Sequence, residues 1–216
     1  MRANLGPALA LQAAALALVV GYYRYPWLQA EMGRLSELHK ETGFVYALIS
    51  TGLFGGFLPF LFLRYGPKGP DGDPHYDWRQ GIALTVFWAY KGFEVDLWYR
   101  IQAHGVGTGH GPATIAIKSF LDQFVYCPLY AVPVTTAAFQ AIESHFDWSA
   151  LKADIRGRGW YGRRVLPVLI ANLAVWLPAV AIIYALPTSL QLPLQNLVLC
   201  FFTLIVAHQT RDGGTG

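Results

Sequence analysis

Two apolar segments of this chain carry charged residues where a membrane helix ordinarily has none. Residues 80–102 have the composition of a membrane helix, yet they contain Lys91, Glu94, Asp96 and Arg100. Residues 113–142 have the same character and contain Lys118 and Asp122. A charge at the bilayer centre costs about 2.5–3.5 kcal/mol on insertion scales, so such residues usually face a partner or a water-filled cavity. The charged positions therefore indicate where the function lies.

The rest of the composition is that of a membrane protein. The chain is 54% hydrophobic and 13% charged, whereas soluble domains average about 25% charged residues. Six apolar segments follow one another, at residues 5–23, 44–63, 80–102, 113–142, 165–186 and 192–208. About 20 apolar residues are needed to span a bilayer as a helix. The sequence therefore predicts an all-α, polytopic integral membrane helix bundle with five or six transmembrane helices.

The segments divide the chain into three parts. We expect residues 1–43 to form an N-terminal span with a connecting segment, residues 44–210 to form the membrane bundle, and residues 211–216 to be a disordered tail. The first apolar run resembles a signal peptide, but no small-residue cleavage site follows it. Its aromatic flank, with Tyr23, Tyr25 and Trp27, is typical of a membrane interface. We therefore expect this span to be retained.

Basic residues in the loops predict the orientation. With six spans, one side collects ten Lys and Arg residues, namely Arg2, Arg64, Lys68, Arg79, Lys152, Arg156, Arg158, Arg163, Arg164 and Arg211. The other side collects four, namely Arg24, Arg34, Lys40 and Arg100. The positive-inside rule then places both termini on the cytoplasm-like side. The pattern would be the same in a bacterial plasma, mitochondrial inner or peroxisomal membrane.

Half of the ten basic residues lie in one connection, residues 144–164. Trp148, Leu151 and Ile155 have helical spacing within it, which predicts a short amphipathic helix on an anionic membrane surface; a solvated basic loop is the alternative. On the first interpretation, lipid headgroups would be held by Lys152, Arg156, Arg158, Arg163 and Arg164. The expected partners are thus membrane lipids and small solutes or ions, and self-association into a homo-oligomer is left open. A net charge of +3 is too small and dispersed to predict nucleic-acid binding.

The intramembrane polar residues fall into pairs at helical spacing. Lys91 and Glu94 are three apart, and Lys118 and Asp122 are four apart, so each pair can neutralise itself on one helix face. Gln123 and Asn172 add amides within apolar segments. One interpretation is a water-filled path for small solutes or ions whose selectivity these charges set. The alternative is a non-conducting structural or lipid-interacting protein whose polar core only holds helices together.

Catalytic signatures are missing from the sequence. It contains no HExxH, GxSxG or CxxC motif. Its two cysteines, Cys127 and Cys200, both lie in apolar segments, which favours buried thiols over a disulfide or a zinc site. We therefore predict a non-enzymatic protein without a cofactor or metal. A membrane enzyme acting on lipids or quinones is the remaining alternative, for which no residue set stands out.

Three groups of residues are similar to the motifs of one family. The run from Lys118 to Gln123, with Asp122 and the later Pro128, resembles a Lys-x-x-x-Asp-Gln…Pro motif. Gly92 followed by Trp98, Tyr99 and Arg100 resembles a Gly-Pro-x-x-His-x-Trp-Tyr-Arg/Lys element. Asn172, Trp176 and Pro178 resemble an Asn-x-x-x-Trp-Pro element. In this order and spacing, the motifs are those of the Mpv-seventeen/peroxisomal-membrane-protein family.

The resemblance covers about residues 44–208 and carries several implications. It implies a small helical membrane protein, usually with four spans, found in peroxisomal and mitochondrial inner membranes and in bacterial and fungal relatives. Members are thought to form weakly selective pores for small solutes or to affect membrane homeostasis. This chain departs from the pattern at Phe93, where the family has proline, and at Asp96, where it has histidine. It also has an additional N-terminal span.

Overall fold

The computed structural model describes residues 5–65 and 76–212, and in these ranges the ordered elements are all helical. The first five α-helices are α1 (Leu5–Arg24), α2 (Pro26–Thr42), α3 (Phe44–Thr51), α4 (Leu58–Tyr65) and α5 (Trp78–Gly105). The next five are α6 (Pro112–Phe120), α7 (Val132–Glu143), α8 (Trp148–Arg156), α9 (Leu166–Tyr184) and α10 (Thr188–Asp212). The prediction of an all-α fold is confirmed for the described part of the chain.

In the described ranges, three π-helical segments are continuous with α-helices. Gly52–Phe57 joins α3 to α4, Leu121–Ala131 joins α6 to α7, and Tyr161–Val165 leads into α9. Their hydrogen bonds span five residues, as in the bond from the Val132 N–H to the Cys127 carbonyl. Such wide turns are rare and occur frequently at functional sites, because they change which face of the helix the following residues occupy.

Within the described ranges, three helices are long and apolar enough to cross a membrane: Phe44–Tyr65, Pro112–Glu143 and Tyr161–Tyr184. Large apolar side chains point outward from them; Leu129 is 76% exposed and Ile170 is 61% exposed. An outward apolar surface is what lipid tails require. The structure therefore supports a membrane-associated helical bundle with three candidate spans. The charged helix α5 is long enough but is not among the three.

Two helices differ from the expected boundaries. Residues 26–42 form α2, where we expected only a connecting segment. The helix begins with Pro26, whose fixed φ suits a first turn, and ends at Gly43, whose φ of 54° favours glycine. The last helix, α10, begins at Thr188 rather than near residue 192, so Pro193 lies inside it. It also continues to Asp212, into the predicted tail; residues 213–216 of that tail lie outside the described part.

Glycines bring α3 and the first π-helical segment against α5. A Cβ atom placed on Gly92 would lie 2.2 Å from the Ala47 carbonyl oxygen and 2.6 Å from the Thr51 side chain. A Cβ on Gly56 would lie 2.7 Å from the Thr85 Cα. Small residues allow such close backbone approach between membrane helices, where van der Waals packing drives association. The start of α5 is fixed by a capping box, in which Asp77 accepts from the Gln80 N–H at 2.7 Å.

Candidate functional site: a polar cavity inside the helix bundle

A cavity of about 300 Å³ lies between α5, the π-helical segment Leu121–Ala131, α7, α9 and α10. Seven polar side chains line it, apart from those with aromatic rings: Lys91, Asp122, Gln123, Cys127, Thr135, Asn172 and Gln195. Aromatic rings form much of the remaining wall, namely Trp88, Trp98, Tyr99, Tyr126 and Trp176. A mostly apolar wall with a few convergent polar groups is typical of sites for small molecules.

Asp122 is the carboxylate of this cavity and is 5% exposed. Its Oδ2 accepts a hydrogen bond from the Tyr184 hydroxyl at 2.9 Å, which links the π-helical segment to α9. The Tyr184 oxygen also lies 2.6 Å from the side-chain amide of Gln102 on α5. A buried polar chain therefore joins three helices around Asp122.

The Cys127 sulfur lies within 4 Å of three other polar side chains of the cavity wall. Gln123 Nε2 lies 3.7 Å from it, and Asn172 Nδ2 lies 3.8 Å from it. Asp122 Oδ1 lies 3.9 Å from the same sulfur. Gln123 is 2% exposed, and its Oε1 has no hydrogen-bond partner among the described residues. An unpaired acceptor therefore belongs to a side chain of the cavity wall.

Lys91 and Glu94 form the ion pair that their spacing predicts. Both are buried, and Glu94 also accepts a hydrogen bond from the Tyr126 hydroxyl. The Lys91 ammonium lies 5.6 Å from the centre of the Tyr126 ring. Lys91 lines the cavity, whereas its partner Glu94 does not. Pairing and the aromatic face offset part of the cost of burying the ammonium.

Lys118 does not pair with Asp122. It is 1% exposed, its ammonium lies 5.8 Å from the centre of the Tyr184 ring, and no carboxylate among the described residues lies within 4.0 Å of it. The predicted pair assumed α-helical spacing across both residues. The π-helical segment begins at Leu121, between them, and this changes the direction of Asp122. The two charges therefore have separate surroundings.

Asp96 lies away from the cavity and belongs to a second cluster. Its Oδ1 lies 3.1 Å from Nε2 of His39 on α2, and its Oδ2 accepts from Arg100 Nε at 2.9 Å. His39 Nδ1 lies 2.8 Å from the Ser189 carbonyl oxygen. This cluster joins α2, α5 and the first turn of α10. The predicted polar residues are thus divided between two places rather than arranged along one line.

Most residues of the family-like motifs have packing roles. Trp98 stacks on Tyr126 with ring centres 4.8 Å apart, and Tyr99 is 1% exposed and donates to Gln195. The Pro128 carbonyl accepts from the Tyr161 hydroxyl at 2.8 Å. Pro178 lies inside α9 and is exposed.

The basic connection forms the predicted short helix, α8. Asp147 caps it by accepting from the Ser149 and Ala150 N–H groups at 3.0 Å, and these bonds lower the pKa of Asp147. Asp154 accepts from Gln140, Arg163 and Arg164; the bond from Gln140 lowers the pKa of Asp154 most, and the two arginines lower it further. The other predicted headgroup residues are exposed: Lys152, Arg156 and Arg158.

Several site residues were missed by sequence reasoning. Gln102, Gln195 and Asn196 are amides in apolar segments, so the argument applied to the charges would have found them. Asn196 bonds the Thr51 and Ser50 hydroxyls at 2.8 and 2.9 Å. His39 lies in a polar stretch of the sequence, so it could not be recognised as a polar residue inside an apolar segment. Among the described residues, no group of three His, Cys, Asp or Glu side chains is placed to hold a metal ion.

Comparison with known proteins adds no relative. No family model matches the chain, and neither the curated proteins nor the solved structures include a match.

Proposed function

We propose that this protein is an integral membrane protein that conducts small solutes or ions through the cavity at Asp122. In this proposal α1, α5 and α10 join the three candidate spans to complete a bundle of six membrane helices. The cavity then lies inside the bundle, with Lys91 and Asp122 at its wall. Charged groups at such a position set the selectivity of membrane pathways.

The observation that carries the proposal is the unused hydrogen-bonding capacity at the cavity. Gln123 lines the cavity, and its Oε1 is buried without a partner among the described residues. Leaving a buried acceptor unpaired costs about 1–3 kcal/mol, so a polar occupant that reaches this oxygen is favoured. Water or a small polar solute is the occupant of suitable size.

The resemblance to the Mpv-seventeen/peroxisomal-membrane-protein family supports the same proposal. Asp122, Gln123 and Asn172 match positions of its motifs, and all three line the cavity. Members of that family are thought to form weakly selective pores. Membership of this chain in the family is part of the proposal.

Conductance of the purified full-length protein in planar bilayers tests the proposal. We expect stepwise currents whose reversal potential under a salt gradient changes in Asp122→Asn. The matched control is Asp154→Asn, which makes the same chemical change outside the cavity, on α8, and should leave the reversal potential unchanged. Absence of current from a protein that is folded by circular dichroism would contradict conduction.

A non-conducting, lipid-interacting role is the second candidate, favoured by the surface of α8. Lys152, Arg156 and Arg158 are exposed beside Trp148, which is 56% exposed. This arrangement suits a helix that lies on anionic headgroups. It predicts that replacing the three basic residues with glutamine lowers the amount of anionic phospholipid that copurifies with the protein. The same variant should leave any Asp122-dependent current unchanged.

A further inference from the structure

A second cavity, of about 450 Å³, lies at one end of the bundle. It forms where α2, the end of α5, the loop before α6 and the start of α10 meet. Its wall includes His39, Lys40, Asp96 and Arg100, and it shares no lining residue with the cavity at Asp122. Asp96 and Arg100, two of the charged positions that the sequence singled out, lie here rather than at the cavity around Asp122.

His39 is a buried part of this wall. The residue is 2% exposed, and both of its ring nitrogens face oxygens that can only accept. Nδ1 lies 2.8 Å from the Ser189 carbonyl, and Nε2 lies 3.1 Å from Asp96 Oδ1, in an ion-pair contact rather than a well-directed hydrogen bond. Each ring nitrogen therefore lies within reach of an acceptor oxygen, one from α10 and one from α5.

Asp96 is the carboxylate of the wall, and its two oxygens are both occupied. Oδ1 faces His39, and Oδ2 accepts from Nε of Arg100 and contacts its terminal nitrogen, both at 2.9 Å. The Arg100 side chain remains 45% exposed. Arginine has five N–H donors, so the partly exposed Arg100 guanidinium can contact a further acceptor in the cavity as well as Asp96.

The remaining wall supplies further donors. Lys40 is paired with Glu37 at 2.7 Å, but both side chains are more than half exposed, and an exposed pair of this kind is weak and can exchange partners. His110 and the hydroxyls of Thr108 and Thr188 also line the cavity. The helix α10 begins at Thr188, and the first N–H groups of a helix have no intrahelical acceptor and favour negative charge.

We propose that this second cavity is a binding site for a phosphate group, either as free phosphate or as the headgroup of an anionic lipid. The cationic side chains of Lys40 on α2 and Arg100 on α5 face one volume that holds a phosphate group easily, and His110 and Thr108 from the loop before α6 add polar groups to its wall. A phosphate offers several acceptor oxygens, which match the guanidinium, ammonium and hydroxyl donors present. The proposal is independent of conduction through the cavity at Asp122.

Binding is tested with the full-length protein in neutral detergent micelles without phosphate. One series titrates inorganic phosphate and a second titrates dihexanoyl phosphatidic acid, with dihexanoyl phosphatidylcholine as the uncharged reference. Calorimetry gives the Kd, and thermal unfolding gives the shift in Tm. We expect saturable binding, a higher Tm on binding, and a Kd about tenfold weaker in Lys40→Gln, since a charge-assisted contact is lost.

The matched control is Arg34→Gln. Arg34 pairs with Glu31 three residues before it on the same helix, as Lys40 does with Glu37, but it does not line the cavity. The Kd of the Arg34→Gln variant should equal that of the unchanged protein. His110→Gln, in a loop, should weaken binding without removing a helix contact.

The two ligands distinguish the sources of the phosphate group. Binding of phosphatidic acid alone, lost in Lys40→Gln, identifies a lipid headgroup site; binding of both ligands identifies a phosphate site. Binding of neither, or equal binding by Lys40→Gln and Arg34→Gln, overturns the proposal.

Discussion

The Tyr184 hydroxyl donates to Asp122 Oδ2 at 2.9 Å and thereby joins α9 to the π-helical segment that contains the cavity's carboxylate. Tyr184 is 1% exposed, so this bond is shielded from bulk solvent. The single contact holds Asp122 at the cavity wall and connects it, through Gln102, to α5. Its removal is therefore a direct test of how the site is organised.

Tyr184→Phe should destabilise the protein by about 1–3 kcal/mol, because it leaves buried partners unpaired. Tyr23→Phe is the control: its hydroxyl donates to the Ala185 carbonyl at 2.6 Å from an exposed side chain, where water can take its place. Equilibrium unfolding in mixed micelles measures both variants. Equal losses of unfolding free energy in the two variants would contradict a larger contribution from the bond to Asp122.

Gly92→Ala should destabilise the bundle by about 2–3 kcal/mol, as overpacking of a tight interface does. The added methyl group would meet the Ala47 carbonyl at 2.2 Å, so α3 and α5 would have to separate. Gly33→Ala is the matched control, because nothing lies within 4 Å of its Cβ position on α2. That change should stabilise the helix by up to about 1 kcal/mol. A neutral Gly92→Ala would contradict the close approach of the two helices.

Glu94→Gln should cost about 3–5 kcal/mol, because it leaves the Lys91 ammonium buried without its counter-ion. The double variant Lys91→Met, Glu94→Gln should recover much of the loss. Glu37→Gln removes the partner of Lys40 at the same three-residue spacing, but in solvent, and should change stability by about 0–1 kcal/mol. A double-mutant cycle from unfolding data isolates the coupling between Lys91 and Glu94. Absence of coupling would contradict the buried pair.

Asp154 should make stability depend on pH in the acid range. Its pKa is lowered from 3.8 in the folded protein, chiefly by the bond from Gln140, so the folded state binds the proton less readily than the unfolded state. The resulting stabilisation is fully present above about pH 4 and is lost as the pH falls through the folded pKa. Asp154→Asn should therefore be less stable than the unchanged protein at pH 6, with the difference shrinking below pH 4. A difference that stays constant with pH would contradict this assignment.

Part of the site follows from local spacing in the sequence. Lys91 and Glu94 pair as predicted because α5 is a regular α-helix across both residues, so a spacing of three places them on one face. The capping box at Asp77 and the short helix α8 follow from local patterns in the same way. These features depend on a few neighbouring residues, which the sequence displays directly.

Other parts depend on contacts between distant segments. The separation of Lys118 from Asp122 follows from a π-helical segment that no pattern of apolar residues indicated. The contact of His39 with Asp96 joins positions 57 residues apart, and the polar character of residues 26–42 gave no reason to expect α2 to pack there. Neither contact has a local cause, so neither could be predicted from spacing.

The sequence by itself determined a helical membrane-type chain and the identity of the charged residues that such a chain must shelter, because the cost of exposing charge to lipid applies to any fold. Only the tertiary structure decided where those residues meet. Helix packing and one wide turn placed Lys91 and Asp122 at one cavity and Asp96 and Arg100 at another. Close packing over the whole bundle decides which helices are neighbours, and the sequence of one segment does not contain that information.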